Sequence, residues 1–113
     1  MIEFRRGDVV VCILSGDYGK PRPAVVVQSD LFNETHASVV VCPISSDVTG
    51  LTLFRVGIPA SEVSGLRKDS EVMVDKITAA RRGRLSRPVG RLSSAQMSRI
   101  DEALRTWLDL PVQ

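Results

Sequence analysis

The 113-residue sequence is poor in aromatics, cysteine and histidine and has no long apolar run, and each scarcity removes a class of function. Five aromatic residues (Phe4, Tyr18, Phe32, Phe54 and Trp107) leave core building to aliphatic side chains and argue against a ring platform for stacking bases. No segment approaches the ~20 consecutive apolar residues that a membrane-spanning helix needs. The opening Met1-Ile2-Glu3-Phe4-Arg5-Arg6 also lacks the apolar core of a signal peptide, so a cytoplasmic protein with no membrane partner is expected. Cys12 and Cys42 each sit inside a valine-rich run, with no CxxC pair, and read as reduced, buried thiols. The sole histidine, His36, lies in the polar turn Asn33-Glu34-Thr35-His36, which makes a triad or a two-histidine nuclease a poor expectation. Phosphate-loop and dinucleotide glycine patterns are missing, and the carboxylates show no metal-ligand spacing, so neither a nucleotide cofactor nor a metal is expected.

What is present is enough to fold. At 43% hydrophobic and 25% charged residues, the chain is far from the composition of disorder, and its length fits one domain over residues 1–113. A net charge of +2 hides an uneven distribution. From Lys76 to Arg99 come Lys76, Arg81, Arg82, Arg84, Arg87, Arg91 and Arg99 without a single acid, whereas the remainder carries eight basic and thirteen acidic residues. Twelve of the fifteen basic residues are arginine, whose planar fork grips phosphate with two parallel hydrogen bonds. The stretch is either a solvated loop or the footprint of a polyanion.

Three β-branched runs, Asp8 to Ile13, Ala24 to Gln28 and Ser38 to Cys42, are apolar at successive positions and predict central strands. Weaker strands are expected around Phe54 to Ile58, Glu71 to Ile77 and Val89 to Leu92, with turn-rich chain between them. Neighbouring strands without helical spacers predict a mainly β fold, an antiparallel sheet curled into a small barrel. Near the C-terminus the period changes: Met97, Ile100, Ala103, Leu104, Trp107 and Leu108 trace one helical stripe, read as core, over about residues 93–109. Ser93 with Gln96 forms a capping box, Leu92 can staple on Met97, and Pro111 marks the end.

Two loop segments carry candidate chemistry. Gly16-Asp17-Tyr18-Gly19-Lys20-Pro21-Arg22-Pro23 delivers Arg22 from between two prolines, a stiff platform for a guanidinium. Pro43-Ile44-Ser45-Ser46-Asp47 ends a strand in adjacent hydroxyls that suit a phosphate. Each alone reads as an ordinary turn. With the acid-free arginine stretch they point to a nucleic-acid backbone.

Arg6-Gly7-Asp8-Val9-Val10, Lys20 to Asp30, Cys42-Pro43-Ile44-Ser45, Gly65 to Ser70, Val74-Asp75-Lys76-Ile77 and Gly90-Arg91-Leu92 fall in an order that resembles the MazF and PemK family of bacterial toxin endoribonucleases, from about residue 5 to 110. That resemblance implies an SH3-like barrel with a terminal helix and a homodimer. It also implies metal-independent cleavage of single-stranded RNA at short sequences, and neutralisation by an antitoxin whose acidic, disordered segment covers the basic groove, with DNA met only through the antitoxin complex. It carries the catalytic pair over to Arg22 and Ser45, the latter standing where the family commonly has threonine, and sets Lys76 where an amide is common. Tyr18, Lys20, Ser46, Asp75, Lys76, Arg81, Arg82 and Arg84 are the expected substrate-binding positions. Two other readings stay open at this point. One is a non-enzymatic DNA gyrase poison of the same fold, although the ending Asp109-Leu110-Pro111-Val112-Gln113 lacks the aromatic-Gly-Ile tail of that toxin. The other is an inactive RNA-binding barrel.

Overall fold

In the computed structural model, which describes residues 3–14, 19–51 and 53–111, seven strands and two helices follow one another along the chain. They are β1 (Asp8–Ile13), β2 (Pro21–Val26), α1 (Asp30–Asn33), β3 (Ser38–Ser45), β4 (Arg55–Ile58), β5 (Ser70–Met73), β6 (Thr78–Arg81), β7 (Gly90–Arg91) and α2 (Ser94–Leu108). Every strand pairing is antiparallel, in the order β4-β5-β3-β2-β1-β7 with β6 also on β3.

Side-chain alternation in β1, β2 and β3 builds two cores from one sheet. Val9, Val25, Cys42 and Ile44 face Val56, Val72 and Val74 and the stripe Ile100, Ala103 and Leu104 of α2. The alternate residues Val10, Cys12, Ala24, Val26, Val39 and Val41 face Ala80, Leu85 and Phe4. This second core exists because the sheet is brought back on itself. β6 runs along β3, and the chain beyond it returns to β1 through a bridge between Cys12 and Leu85 and a hydrogen bond from the Ser86 N–H to the Val11 carbonyl of 2.8 Å. The expected curled barrel is what these pairings make, and the runs apolar on both faces are its central strands. Cys12 and Cys42 are buried in different cores, on opposite faces of the sheet, so the two thiols are kept apart. Burial pushes the Cys42 thiol up to about 12, with the carboxylate of Asp75 adding to the rise and the charge of Arg6 opposing it.

Several boundaries differ from the expectation for local reasons. β2 starts at Pro21 rather than Ala24, because β1 is long enough to pair with it down to Ile13↔Pro21. The expected strand through Ile77 stops at Met73 and tightens into a 3₁₀ turn over Val74–Lys76. The four residues Thr78–Arg81, inside the arginine stretch, are a strand that pairs with β3, where a strand edge would otherwise be unpaired. Short helix α1 is held by a wholly buried Asn33, whose amide donates to the Gln28 carbonyl (3.0 Å) and Asp30 Oδ1 (2.8 Å).

The terminal helix carries the expected capping box, with Gln96 N–H donating to Ser93 Oγ at 3.1 Å and Ser93 N–H to Gln96 Oε1 at 2.8 Å. It ends where expected but by a different stop signal. Asp109 takes the left-handed conformation (φ 54°) and the Leu110 N–H reaches back to the Arg105 carbonyl at 2.9 Å, so a Schellman turn stops the helix before Pro111. The stripe is core only as far as Leu104, since Trp107 and Leu108 are each 47% exposed and Trp107 leans on Phe54 with ring centroids 5.5 Å apart.

Segment 61–66 crosses β7 with almost no clearance. A Cβ on Gly90 would stand 2.2 Å from the Ser64 backbone, and Gly65, at φ +75°, is as tight against Val89. Gly90→Ala should therefore lower stability by about 2 kcal/mol or more, the cost of forcing packed backbones apart, as read from the midpoint of urea unfolding. An unchanged midpoint would show that the crossing relaxes freely.

Candidate active site

Arg22 and Ser45 line one cavity, just past the end of the β2–β3 ladder. β2 and β3 pair through Ala24↔Pro43, Val25↔Cys42 and Val26↔Val41. Arg22 lies on the sheet face that carries Cys12, Ala24 and Val41, away from α2. The β2–β3 ladder stops at Ala24↔Pro43, and the prolines at 21, 23 and 43 have no N–H with which to extend it. The strands part there, and the cavity, about 720 Å³ in volume, opens at that point.

Arg22, Ser45, Lys76, Arg81 and Arg84 line this cavity, with Ile13, Leu14, Pro43 and Met73 among its apolar walls. Among the described residues its lining holds four cations and no carboxylate. Such a concave, single-sign surface concentrates anions and is poor for a neutral or cationic ligand. The Ser45 hydroxyl accepts the Asp47 N–H at 3.0 Å, which leaves its proton free to point outward to an acceptor.

Other expected binding residues are placed elsewhere. Tyr18 lies outside the described residues. Lys20 and Ser46 are exposed but do not line the cavity. Asp75 is turned to Arg55, which donates Nε at 2.8 Å and a terminal nitrogen at 3.1 Å to its two carboxylate oxygens. Asp75 and Lys76 share the 3₁₀ turn, so this largely buried pair anchors the turn that presents Lys76 to the cavity. Asp75 thus holds a cavity-lining residue in place instead of lining the cavity itself.

Arg82 is engaged away from the cavity lining. Its guanidinium donates to the carbonyls of Asn33 and His36, at 3.0 Å to the latter, and stacks 5.3 Å from the Phe4 ring centroid. A guanidinium held by fixed carbonyls over an aromatic face is a structural tie between α1 and the turn after β6. The rest of the acid-free stretch also divides. Arg91 pairs with Asp8 at 2.7 Å, and Arg99, on α2, reaches the Gly57 carbonyl at 3.3 Å. Seven cations contiguous in sequence contribute three, Lys76, Arg81 and Arg84, to one surface.

The site has a buried acid behind it that the sequence reading did not single out. Glu71 is 3% exposed and is the β5 partner of Ser45 in the register. Burial alone would raise its carboxyl, but the N–H groups of Thr49 and Gly50, the Thr49 hydroxyl and the charge of Arg55 outweigh that and hold it below the usual glutamate range. A lone Glu in a polar-apolar alternation gives no sign of such contacts.

With fold and site described, comparison with known proteins assigns the class. Residues 5–108 match the family described as PemK-like, MazF-like toxin of type II toxin-antitoxin system. The chain belongs to that family. It is 40% identical over 108 residues to the probable endoribonuclease MazF of Mycolicibacterium smegmatis, covering 95% of this chain and 98% of the relative. It is 36% identical to the endoribonuclease MazF9 of Mycobacterium tuberculosis, with 95% and 98% covered. The structure of the Mycobacterium tuberculosis toxin MazF-mt6 superposes with a TM-score of 0.81 at 27% identity over 93% of this chain and 99% of that one.

The two kinds of arginine should separate by experiment. Arg82→Ala should lower the thermal midpoint by several degrees, as expected for about 1–2 kcal/mol in a domain of this size, whereas Arg84→Ala should leave it within a degree. Equal midpoints for both variants would return Arg82 to the pool of solvent-facing cations.

Proposed function

We propose that this toxin endoribonuclease cuts single-stranded RNA at short sequences, with Arg22 and Ser45 acting at the scissile phosphate and Lys76, Arg81 and Arg84 holding the flanking backbone. The observation that carries this reading is one cavity lined together by a proline-framed guanidinium, a strand-end hydroxyl and three further cations. Family membership makes the enzyme class firm, while the residue roles are argued from that geometry.

The chemistry these groups support uses the substrate's own nucleophile. The ribose 2′-hydroxyl attacks the adjacent phosphorus, the bond to the 5′-oxygen breaks, and the products are a 2′,3′-cyclic phosphate and a 5′-hydroxyl. One proton leaves the 2′-oxygen and one reaches the departing 5′-oxygen. Charge accumulates on the nonbridging oxygens of the pentacoordinate phosphorane, where the Arg22 guanidinium and the Ser45 O–H can each donate. A guanidinium holds its proton tightly and offers no acceptor, so its main role is to stabilise charge. No metal is needed to generate a nucleophile when the substrate supplies it.

A cationic cavity open to solvent also suits the partners expected from the sequence. An acidic, disordered antitoxin segment would match its charge and order on binding. A second copy of the chain would extend the groove, as in a homodimer, and contact with DNA would come through the antitoxin complex. The described residues contain no helix long and apolar enough to cross a membrane. A cytoplasmic site of action, where mRNA is available, completes the proposal.

Purified protein incubated with a long single-stranded RNA in EDTA should cut at a recurring short motif and leave cyclic-phosphate and 5′-hydroxyl ends. Arg22→Ala and Ser45→Ala should each slow single-turnover cleavage by about 10² to 10³, the usual loss for one donor to a developing oxyanion. RNA left intact by the wild-type protein would overturn the reading. Replacing Arg81 and Arg84 by alanine should make the plot of log affinity against log salt shallower by about 1.4, near 0.7 for each lost contact with a single strand. An unaltered slope would remove both from the RNA path.

A further inference from the structure

β3 ends at Ser45, and the chain that follows must leave the sheet without swinging the hydroxyl away from Arg22. The Ser45 Oγ is tied to that chain because it accepts the Asp47 N–H at 3.0 Å. Burial does not hold the departing segment. Residues 46–51 are all exposed, Val48 at 57% included. A serine hydroxyl also lacks the β-methyl that restricts the side-chain torsion of threonine, so its direction has to be set from outside the residue.

Glu71 supplies the hold. One carboxylate oxygen accepts both the Thr49 N–H and the Thr49 hydroxyl, each at 2.9 Å, and the other accepts the Gly50 N–H at 2.9 Å. Gly50 stands at φ +76°, a left-handed turn that few other residues adopt. Thr49 passes the restraint on, since its Oγ1 accepts the Leu51 N–H at 3.3 Å. Three charge-assisted bonds to one buried carboxylate make a stiff anchor. They fasten the segment two to three residues beyond the amide that touches Ser45, and the anchor is the residue paired with Ser45 across the ladder. Arg55 lies close enough to stabilise the ionised form, so the carboxylate stays an acceptor at neutral pH.

We propose that Glu71 is a positioning residue for RNA cleavage: by latching Thr49 and Gly50 to β5 it fixes the turn whose Asp47 amide orients the Ser45 hydroxyl toward the scissile phosphate. This rests on the role given to Ser45 above. The latch touches neither RNA nor the reacting atoms. Its effect is to keep one rotor aligned, so it is felt in the rate of the chemical step and not in the affinity for RNA.

The test is a cycle of variants on one RNA whose cut site has been mapped, followed by single-turnover cleavage and by binding to the same RNA carrying a 2′-deoxy sugar at that site. Glu71→Gln keeps the shape but turns an N–H₂ toward a donor. It should slow cleavage about 10-fold, as for the loss of alignment by roughly one charge-assisted hydrogen bond, with binding to the uncleavable RNA unchanged. In the Ser45→Ala background the same change should add nothing, because the rotor it aligns is gone. Ser45→Thr in the Glu71→Gln protein should recover part of the loss. Wild-type cleavage by Glu71→Gln, or an equal loss in both backgrounds, overturns the latch while leaving Ser45 in place. Wild-type cleavage by Ser45→Ala instead overturns the role of Ser45, and the latch with it. Should Glu71→Gln lose its native circular dichroism, Thr49→Val takes its place in the same cycle. It keeps both amide bonds and should slow cleavage about threefold in the Ser45 protein only, equal losses in both backgrounds again overturning the proposal.

Discussion

Strands β1, β2 and β3 are apolar on both faces, and the remaining elements of the fold serve to cover one face or the other. Helix α2 with β4 and β5 covers the face of Val9, Val25 and Cys42. The return of the chain through β6 and Leu85 covers the face of Val10, Ala24 and Val26. A sheet with two dry faces leaves a ligand little access except where its ladder ends. The prolines of β2 and β3 place such an end at Arg22 and Ser45, so the site follows from how the central strands are hidden.

Charge is arranged by the same logic. The cavity lining gathers Arg22, Lys76, Arg81 and Arg84, while the acids nearest to it are turned inward to hold backbone or guanidinium. Asp75 is neutralised by Arg55, and Glu71 is saturated by loop donors. Acids so engaged stabilise the local frame without projecting negative charge into the cationic lining of the cavity. Arginines are divided likewise between those that face solvent and those, such as Arg82, that tie one segment to another.

What could be read in the sequence was whatever depends on neighbours in the chain. The three central strands, the Ser93–Gln96 cap and the two buried thiols follow from local pattern. Arg22 and Ser45 were singled out from their own segments, and both line one cavity of the fold. Misses arose where a distant partner decided the outcome. Thr78–Arg81 has little intrinsic strand character and is a strand because β3 offers it an edge. Arg82 is indistinguishable from Arg81 and Arg84 until carbonyls 46 and 49 residues away in the chain are brought to it. Glu71 carries no local signal, because its three donors belong to a loop 21 and 22 residues upstream.

The last turn of α2 has a use in the laboratory. Trp107 is the one tryptophan of the chain, half exposed and resting on Phe54, outside both cores. Its emission therefore reports whether the helix end is docked on the chain just before β4, and it is nearly blind to the packing of the barrel. A denaturation curve followed by tryptophan fluorescence can move before the far-ultraviolet dichroism does. For this molecule such a mismatch would record a helix end lifting from the body, a local event, before the sheet itself gives way.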